Sequence, residues 1–157
     1  MKIVFLSVGK SHDVAIAKGI EDFTARIQKY FRTEWLIISP PKNASSLTEP
    51  LLKKEEAKLI LQHTYDSDYT VLLDERGAQM SSEEFAAFLQ QRANESVRRM
   101  LFIIGGAYGT DASVMQRANT KWSLSNLVFP HMLVRLILAE QVYRACTILR
   151  NEKYHHS

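Results

Sequence analysis

Three groups of residues in this chain have the types and spacing to do chemistry. Gly105, Gly106 and Gly109 fill three of five positions directly after the apolar run Met100-Leu101-Phe102-Ile103-Ile104. Glycines placed like this let the backbone reach positive φ and bring main-chain groups against a ligand; a plain strand-to-helix turn uses the same spacing. His131 and Arg135 stand four apart and share a helix face with Leu138, Val142, Ala145 and Leu149. That pair either orients the helix as a partly buried polar spot or is aimed at a ligand or a partner subunit. Glu140 and Arg144 form an i,i+4 pair in the favourable order, by default a solvated helix face. Tyr154, His155 and His156 stand near the end of the sequence. An imidazole titrates near neutral pH and can move a proton, whereas a frayed, solvated end is the alternative for such a tail.

Several chemistries are excluded. The glycines at 105, 106 and 109 lack the G-x-G-x-x-G spacing, and no acidic residue follows about twenty positions later, so a dinucleotide fingerprint is absent. No Gly-Lys-Ser/Thr occurs for a phosphate loop and no G-x-S-x-G for a nucleophile elbow. Cysteine and histidine do not show metal-ligand spacing, and no metal is expected. Cys146 is the only cysteine and lies among apolar residues, which fits core packing in a reducing compartment.

The elements that position these residues follow from periodicity. Ile3 to Val8, Glu34 to Ser39, Tyr69 to Leu73 and Met100 to Ile104 read as strands, the first and last apolar without alternation, as in a sheet covered on both faces. Helices are expected over 13–31, with Ile16, Ile20, Phe23, Ile27 and Phe31 inward, and over 51–65. Asp74 to Gly77 is expected as a turn. Ser81 and Glu84 form a capping box that opens a helix with Phe85, Phe88 and Leu89 inward. Thr110 or Asp111 caps a short helix over 112–118, and a further extended stretch is expected within 122–129. Pro130 opens a helix to about Arg150 whose first turns are apolar almost all round, from Met132 to Ala139. In a chain this short, a subunit interface is the expected second cover for that helix. Residues 40–50, PPKNASSLTEP, have loop composition.

The order βαβαβαβαβα implies a mostly parallel sheet with helices on both faces, and ligands in such sheets bind at the carboxyl ends of strands. At 157 residues the chain is read as a single domain, 1–157, able to bury a core. A net charge of +3 permits RNA binding without demanding it. No signal-peptide pattern and no apolar run of membrane-spanning length occur, so a cytoplasmic protein without membrane contact is expected.

The residues taken together point further. V-L-L-D-E-R-G at 71–77, I-I-G-G-A-Y-G at 103–109, W-S-L-S-N-L-V-F-P-H-M-L-V-R at 122–135, E-Q-V-Y-R-A at 140–145 and Y-H at 154–155 resemble the ribosomal RNA large subunit methyltransferase H family of small SPOUT-class enzymes, over the whole chain. The resemblance implies a SPOUT-type α/β knot, with a deep trefoil knot in its C-terminal part, and a homodimer. It implies S-adenosylmethionine-dependent methylation of N3 of a pseudouridine in 23S rRNA of the ribosome. By matching motif, the cofactor contacts would be Leu73, Gly105 and the run Leu124, Ser125, Asn126, Leu127, Val128 and Phe129. Tyr154 and His155 would lie near the methyl-transfer site. His155 would orient N3 or receive its proton, and Arg135 or Arg144 would hold a target phosphate or carbonyl. A noncatalytic RNA- or ribosome-binding module is the alternative.

Overall fold

A computed structural model describes residues 1–156. Five strands, β1 (Lys2–Val8), β2 (Arg32–Ile38), β3 (Tyr69–Ala78), β4 (Arg99–Ile104) and β5 (Thr120–Trp122), form one sheet in the order β2-β1-β4-β3-β5. Every pairing is parallel. The helices are α1 (Val14–Ile27), α2 (Glu49–Gln62), α3 (Ser82–Asn94), α4 (Ala112–Arg117) and α5 (His131–Leu149). The α/β class and the alternating order expected from the sequence are what the structure shows.

The unbroken apolar runs have a direct cause. Ile3, Phe5, Met100, Phe102 and Ile104 face a core built with Ile27, Phe85, Leu89, Leu138, Val142 and Ala145, from α1, α3 and α5. Val4, Leu6, Val8, Leu101 and Ile103 face the opposite core, built with Ala57, Ile60 and Val114 from α2 and α4. Successive side chains point to opposite faces and both faces are dry, so the inner positions are apolar apart from Ser7, which accepts a hydrogen bond from Arg135. Each such side chain contributes roughly 1.5–3 kcal/mol of transfer free energy.

Helix starts obey their capping residues. Asp13 accepts from the Ala15 amide at 2.9 Å, and the expected capping box of Ser81 and Glu84 forms in both directions. Asp111, rather than Thr110, caps α4. Helix α5 has Pro130 at its N-cap with no side-chain cap, so it starts on backbone geometry alone. It packs against α1 and α3, and Cys146 is buried in that seam, where burial pushes its thiol up to about 12. The thiol is therefore inert at neutral pH.

Three expectations are corrected. Asp74 to Gly77 is not a turn: β3 continues to Ala78 through a register shift in which both Leu73 and Ala78 pair with Trp122. Gly77 permits this close pairing, since a side chain there would come within 2.6 Å of the Lys121 backbone. The extended stretch sought within 122–129 is the strand Thr120–Trp122, and 123–129 is a loop. There Ser123 Oγ donates to the Ser125 carbonyl and Ser125 Oγ accepts from the Leu127 amide, local bonds that bend the chain out of a strand. Helix α1 ends at Ile27, not Phe31, as Tyr30 and Phe31 turn back onto the Ile27 carbonyl.

Candidate functional site

The carboxyl ends of β3, β4 and β5 surround a cavity of about 500 Å³. Ile104 ends β4 on it, Leu73 meets it at the register shift of β3, the glycine loop 105–109 forms one side, and the 123–129 loop forms another. Of the residues matched to cofactor binding, Leu73, Gly105, Leu124, Ser125, Leu127, Val128 and Phe129 line it. Asn126 does not. Its side chain is exposed and its amide oxygen accepts from Gln79 Nε2 at 2.8 Å, so the side-chain part of that expectation is corrected.

The glycine loop is shaped by its own packing. The Gly109 amide donates to the Gly106 carbonyl at 3.1 Å, and Gly109 takes φ +84°, which closes the turn. A side chain at Gly105 would come within 2.7 Å of Thr110 Cγ2 and 3.2 Å of the Gly109 carbonyl. The obstruction is thus within the loop itself. Two buried polar atoms on cavity residues, Thr110 Oγ1 and Trp122 Nε1, have no hydrogen-bond partner among the described residues. Buried polar groups are normally satisfied, so such atoms mark a wall that a polar ligand can complete. Trp122 is held from behind by stacking on Phe85 at 4.1 Å between centroids.

Beside the cavity lies the pair read from the sequence as sharing a helix face. His131 lines the cavity, but Arg135 is fully buried. Arg135 Nε donates to Ser7 Oγ at 2.9 Å and Nη1 to the Lys10 carbonyl at 2.9 Å, with His12 Nδ1 at 3.3 Å. The expectation that Arg135 holds a target phosphate is therefore corrected: it ties α5 to the loop after β1 and has no exposed surface. Nothing in the sequence around Ser7 or His12 signalled that bond.

Burial, then the Arg135 charge, holds both His12 and His131 below the usual histidine range. The sign is that of a depressed base: unfolded histidine protonates first, so folding loses stability as pH falls through the folded values. We expect the melting temperature to drop on acidification below about pH 6.5. A His12→Gln, His131→Gln double variant should melt with a shallower pH slope in that range. An equal slope in thermal melts of the two proteins would contradict this.

The third group is ordered. Tyr154 Oη donates to Glu140 Oε1 at 3.0 Å, its ring packs against Tyr143 at 4.7 Å, and the Arg144 guanidinium lies 4.9 Å over its face. His155 Nε2 donates to Glu83 Oε1 at 2.6 Å, which leaves Nδ1 as the acceptor 3.4 Å from Arg144 Nη1. Its own backbone amide, then His155, keeps Glu83 below the usual carboxylate range. Burial and the Glu140 contact push the Tyr154 phenol up, so it stays a donor at neutral pH. The solvated-end alternative does not hold for the half-buried Tyr154 and His155, and Glu140–Arg144 is the platform on which they lie rather than a free surface pair. His156 is exposed, and Ser157 lies outside the described residues. Glu83, on the first turn of α3, orients His155, a role with no local sequence signal.

The tail platform and the cavity are separate along α5. His131 and Val134 line the cavity, whereas Glu140 and Arg144 lie roughly 9–20 Å further along the helix axis at 1.5 Å per residue. Among the described residues no hydrogen bond joins the two. No group of side chains able to hold a metal occurs there either, and no helix is long and apolar enough to cross a membrane.

This arrangement of a glycine loop and a returning loop at the strand ends has counterparts. A family model described as predicted SPOUT methyltransferase matches residues 1–155. The chain belongs to the SPOUT methyltransferase family. It is also 44% identical to the ribosomal RNA large subunit methyltransferase H of Cytophaga hutchinsonii, over 99% of this chain and 100% of that one. The corresponding protein of Christiangramia forsetii is 43% identical over 99% of each chain. At the level of fold, the SPOUT chain resembles the tRNA (m1G37) methyltransferase from Aquifex aeolicus, with a TM-score of 0.53, 13% identity, and 92% of this chain and 70% of that chain covered. SPOUT membership makes the protein a methyltransferase.

Proposed function

We propose that this SPOUT enzyme methylates N3 of a pseudouridine in 23S rRNA, using S-adenosylmethionine, as a cytoplasmic homodimer acting on the ribosome. Full-length similarity to ribosomal RNA large subunit methyltransferases supports rRNA as the substrate class. The observation that carries the cofactor is the cavity. At about 500 Å³ it suits a ligand of that size, its walls combine apolar side chains and glycine backbone with polar groups such as Asp74, Ser123 and His131, and it offers unsatisfied Thr110 and Trp122 atoms. S-Adenosylmethionine carries no phosphate, so the absent phosphate loop is consistent. Leu73, Gly105 and the 124–129 backbone would hold it, with the C-terminal trefoil knot of the family fixing those loops.

The cofactor supplies an electrophilic methyl group; the chain supplies position and a proton acceptor. The N3 proton of the base must leave. Within one chain the tail lies apart from the cavity, so the acceptor at a given cavity would be the tail of the second subunit; His155 Nδ1 is an acceptor, and Glu83 stands on the opposite nitrogen to orient the ring and stabilise it once protonated. Arg144, exposed enough to reach a ligand, is suited to hold a carbonyl or phosphate of the target. Arg135 acts only through position.

A homodimer explains two further features. Leu127 and Val128 are 69% and 77% exposed at the cavity rim, with Leu133 exposed on the first turn of α5, an apolar edge that water covers poorly. A second subunit over this edge would cover it and add to the RNA surface. Light scattering at micromolar concentration should give twice the mass of one chain, and a monomer mass would contradict the dimer. Titration of purified protein with S-adenosylmethionine separates the enzyme from a noncatalytic RNA-binding module, which would not bind it.

A further inference from the structure

The carboxyl group of Glu56 lies directly behind the glycine loop. Its Oε2 and Oε1 atoms stand 2.5 and 2.8 Å from the point a side chain at Gly106 would occupy, and Gly106 itself lines the cavity. Glu56 is 7% exposed on α2 and, among the described residues, makes no hydrogen bond or ion pair. Burial alone raises its carboxyl above the ordinary range, with no neighbouring cation offsetting that burial. Lys53, one turn earlier on α2, lines the cavity instead, and Lys54 lies toward Asp111. An unpaired buried carboxylate costs stability, and a glutamine or a leucine would fill the place at lower cost. A positive charge on a ligand across the Gly106 backbone would be within its influence.

We propose that Glu56 is a specificity-determining, positioning residue that favours a cationic ligand in the cavity over its neutral counterpart. The inference rests on the S-adenosylmethionine reading above. The sulfonium carries a full positive charge before methyl transfer, and the thioether product carries none at sulfur. A carboxylate behind the Gly106 backbone would attract the first and not the second. It does not touch the reacting atoms. Its effect is to bind the charged donor more firmly than the spent product and so to aid exchange of one for the other. Gly106 is what permits the approach, since any side chain there would push the carboxylate back.

Glu56→Gln keeps the shape and removes the charge. Calorimetry on the full chain at pH 7.5 should show S-adenosylmethionine affinity lowered about fivefold, and S-adenosylhomocysteine affinity changed by less than about twofold, as a charge–charge attraction across several ångströms allows. The melting temperature should be unchanged or higher at that pH. A raised carboxyl favours folding when protonated and costs stability as pH rises through its folded value, and glutamine removes that cost. Glu56→Asp, with its charge drawn back, should fall between the two in the affinity ratio. An unchanged ratio in Glu56→Gln, whether both ligands weaken together or neither does, would overturn the proposal and leave Glu56 as loop packing. Wild-type protein that bound neither ligand would overturn the cofactor reading and this inference with it.

Discussion

Removal of residues 154–157 is expected to slow methyl transfer at least about tenfold, the low end of what a positioned acid–base group and a stacking aromatic supply. The expectation comes from how the tail is held. His155 has one nitrogen donating to Glu83 and the other turned to Arg144, and Tyr154 is fixed between Tyr143 and Glu140. The truncated protein should stay folded, because the sheet and both cores lie outside this segment. Loss of the Tyr154–Tyr143 contact should cost about 1 kcal/mol. Cofactor affinity should hardly change, because the tail touches no residue of the cavity wall. His155→Ala should reproduce most of the loss in rate while keeping the tyrosine packing. Single-turnover rates on ribosomes lacking the modification are the measurement. Equal rates for full-length, truncated and His155→Ala proteins would show that the tail has no part in the chemistry.

Gly105→Val should weaken S-adenosylmethionine binding more than any other single change named here, by about a hundredfold. A valine adds bulk where even its first carbon would sit 2.7 Å from Thr110 Cγ2. The Gly109 carbonyl, 3.2 Å away on another side, leaves no simple retreat. The loop must therefore move, and it is one wall of the cavity. An overpacked site of this kind costs roughly 1–3 kcal/mol in folding, so the variant should remain folded at room temperature with a lower melting temperature. Asn126→Ala is the control. It lies in the same matched run as the other cofactor residues, yet its side chain is tied to Gln79 outside the cavity, so its affinity should be unchanged. Calorimetry with Gly105→Val equal to wild type, or with Asn126→Ala as damaging, would sink the assignment of this cavity.

How much of this was legible in the sequence depended on the range of the interaction. The strands were, because two dry faces leave Val4, Phe5, Leu101 and Phe102 no polar alternative. The capping box at Ser81 was, since its two bonds span only three residues. The end of β3 was not. Asp74-Glu75-Arg76-Gly77 has turn composition, and only the pairing of Ala78 with Trp122 keeps it extended. The glycine loop was recognisable as a tight turn after a buried strand, but its crowding by Glu56 depended on a segment brought in by tertiary packing. Arg135 was the clearest failure. Helical spacing put it on one face with His131, and only the fold showed that Ser7 and the Lys10 carbonyl, more than a hundred residues earlier, enclose it. The His155–Glu83 bond, between the tail and the start of α3, was hidden for the same reason.

The central claim is that this chain moves a methyl group onto N3 of a pseudouridine in large-subunit rRNA. Its most direct test supplies purified protein with methyl-labelled S-adenosylmethionine and ribosomes that lack the modification. The RNA is then digested, and its nucleosides are identified by mass spectrometry. The account predicts about one labelled methyl group per ribosome, found on N3 of one pseudouridine in 23S rRNA, and none when that position is uridine. Label on another base, or no label with active ribosomes and a protein that binds the cofactor, would contradict it.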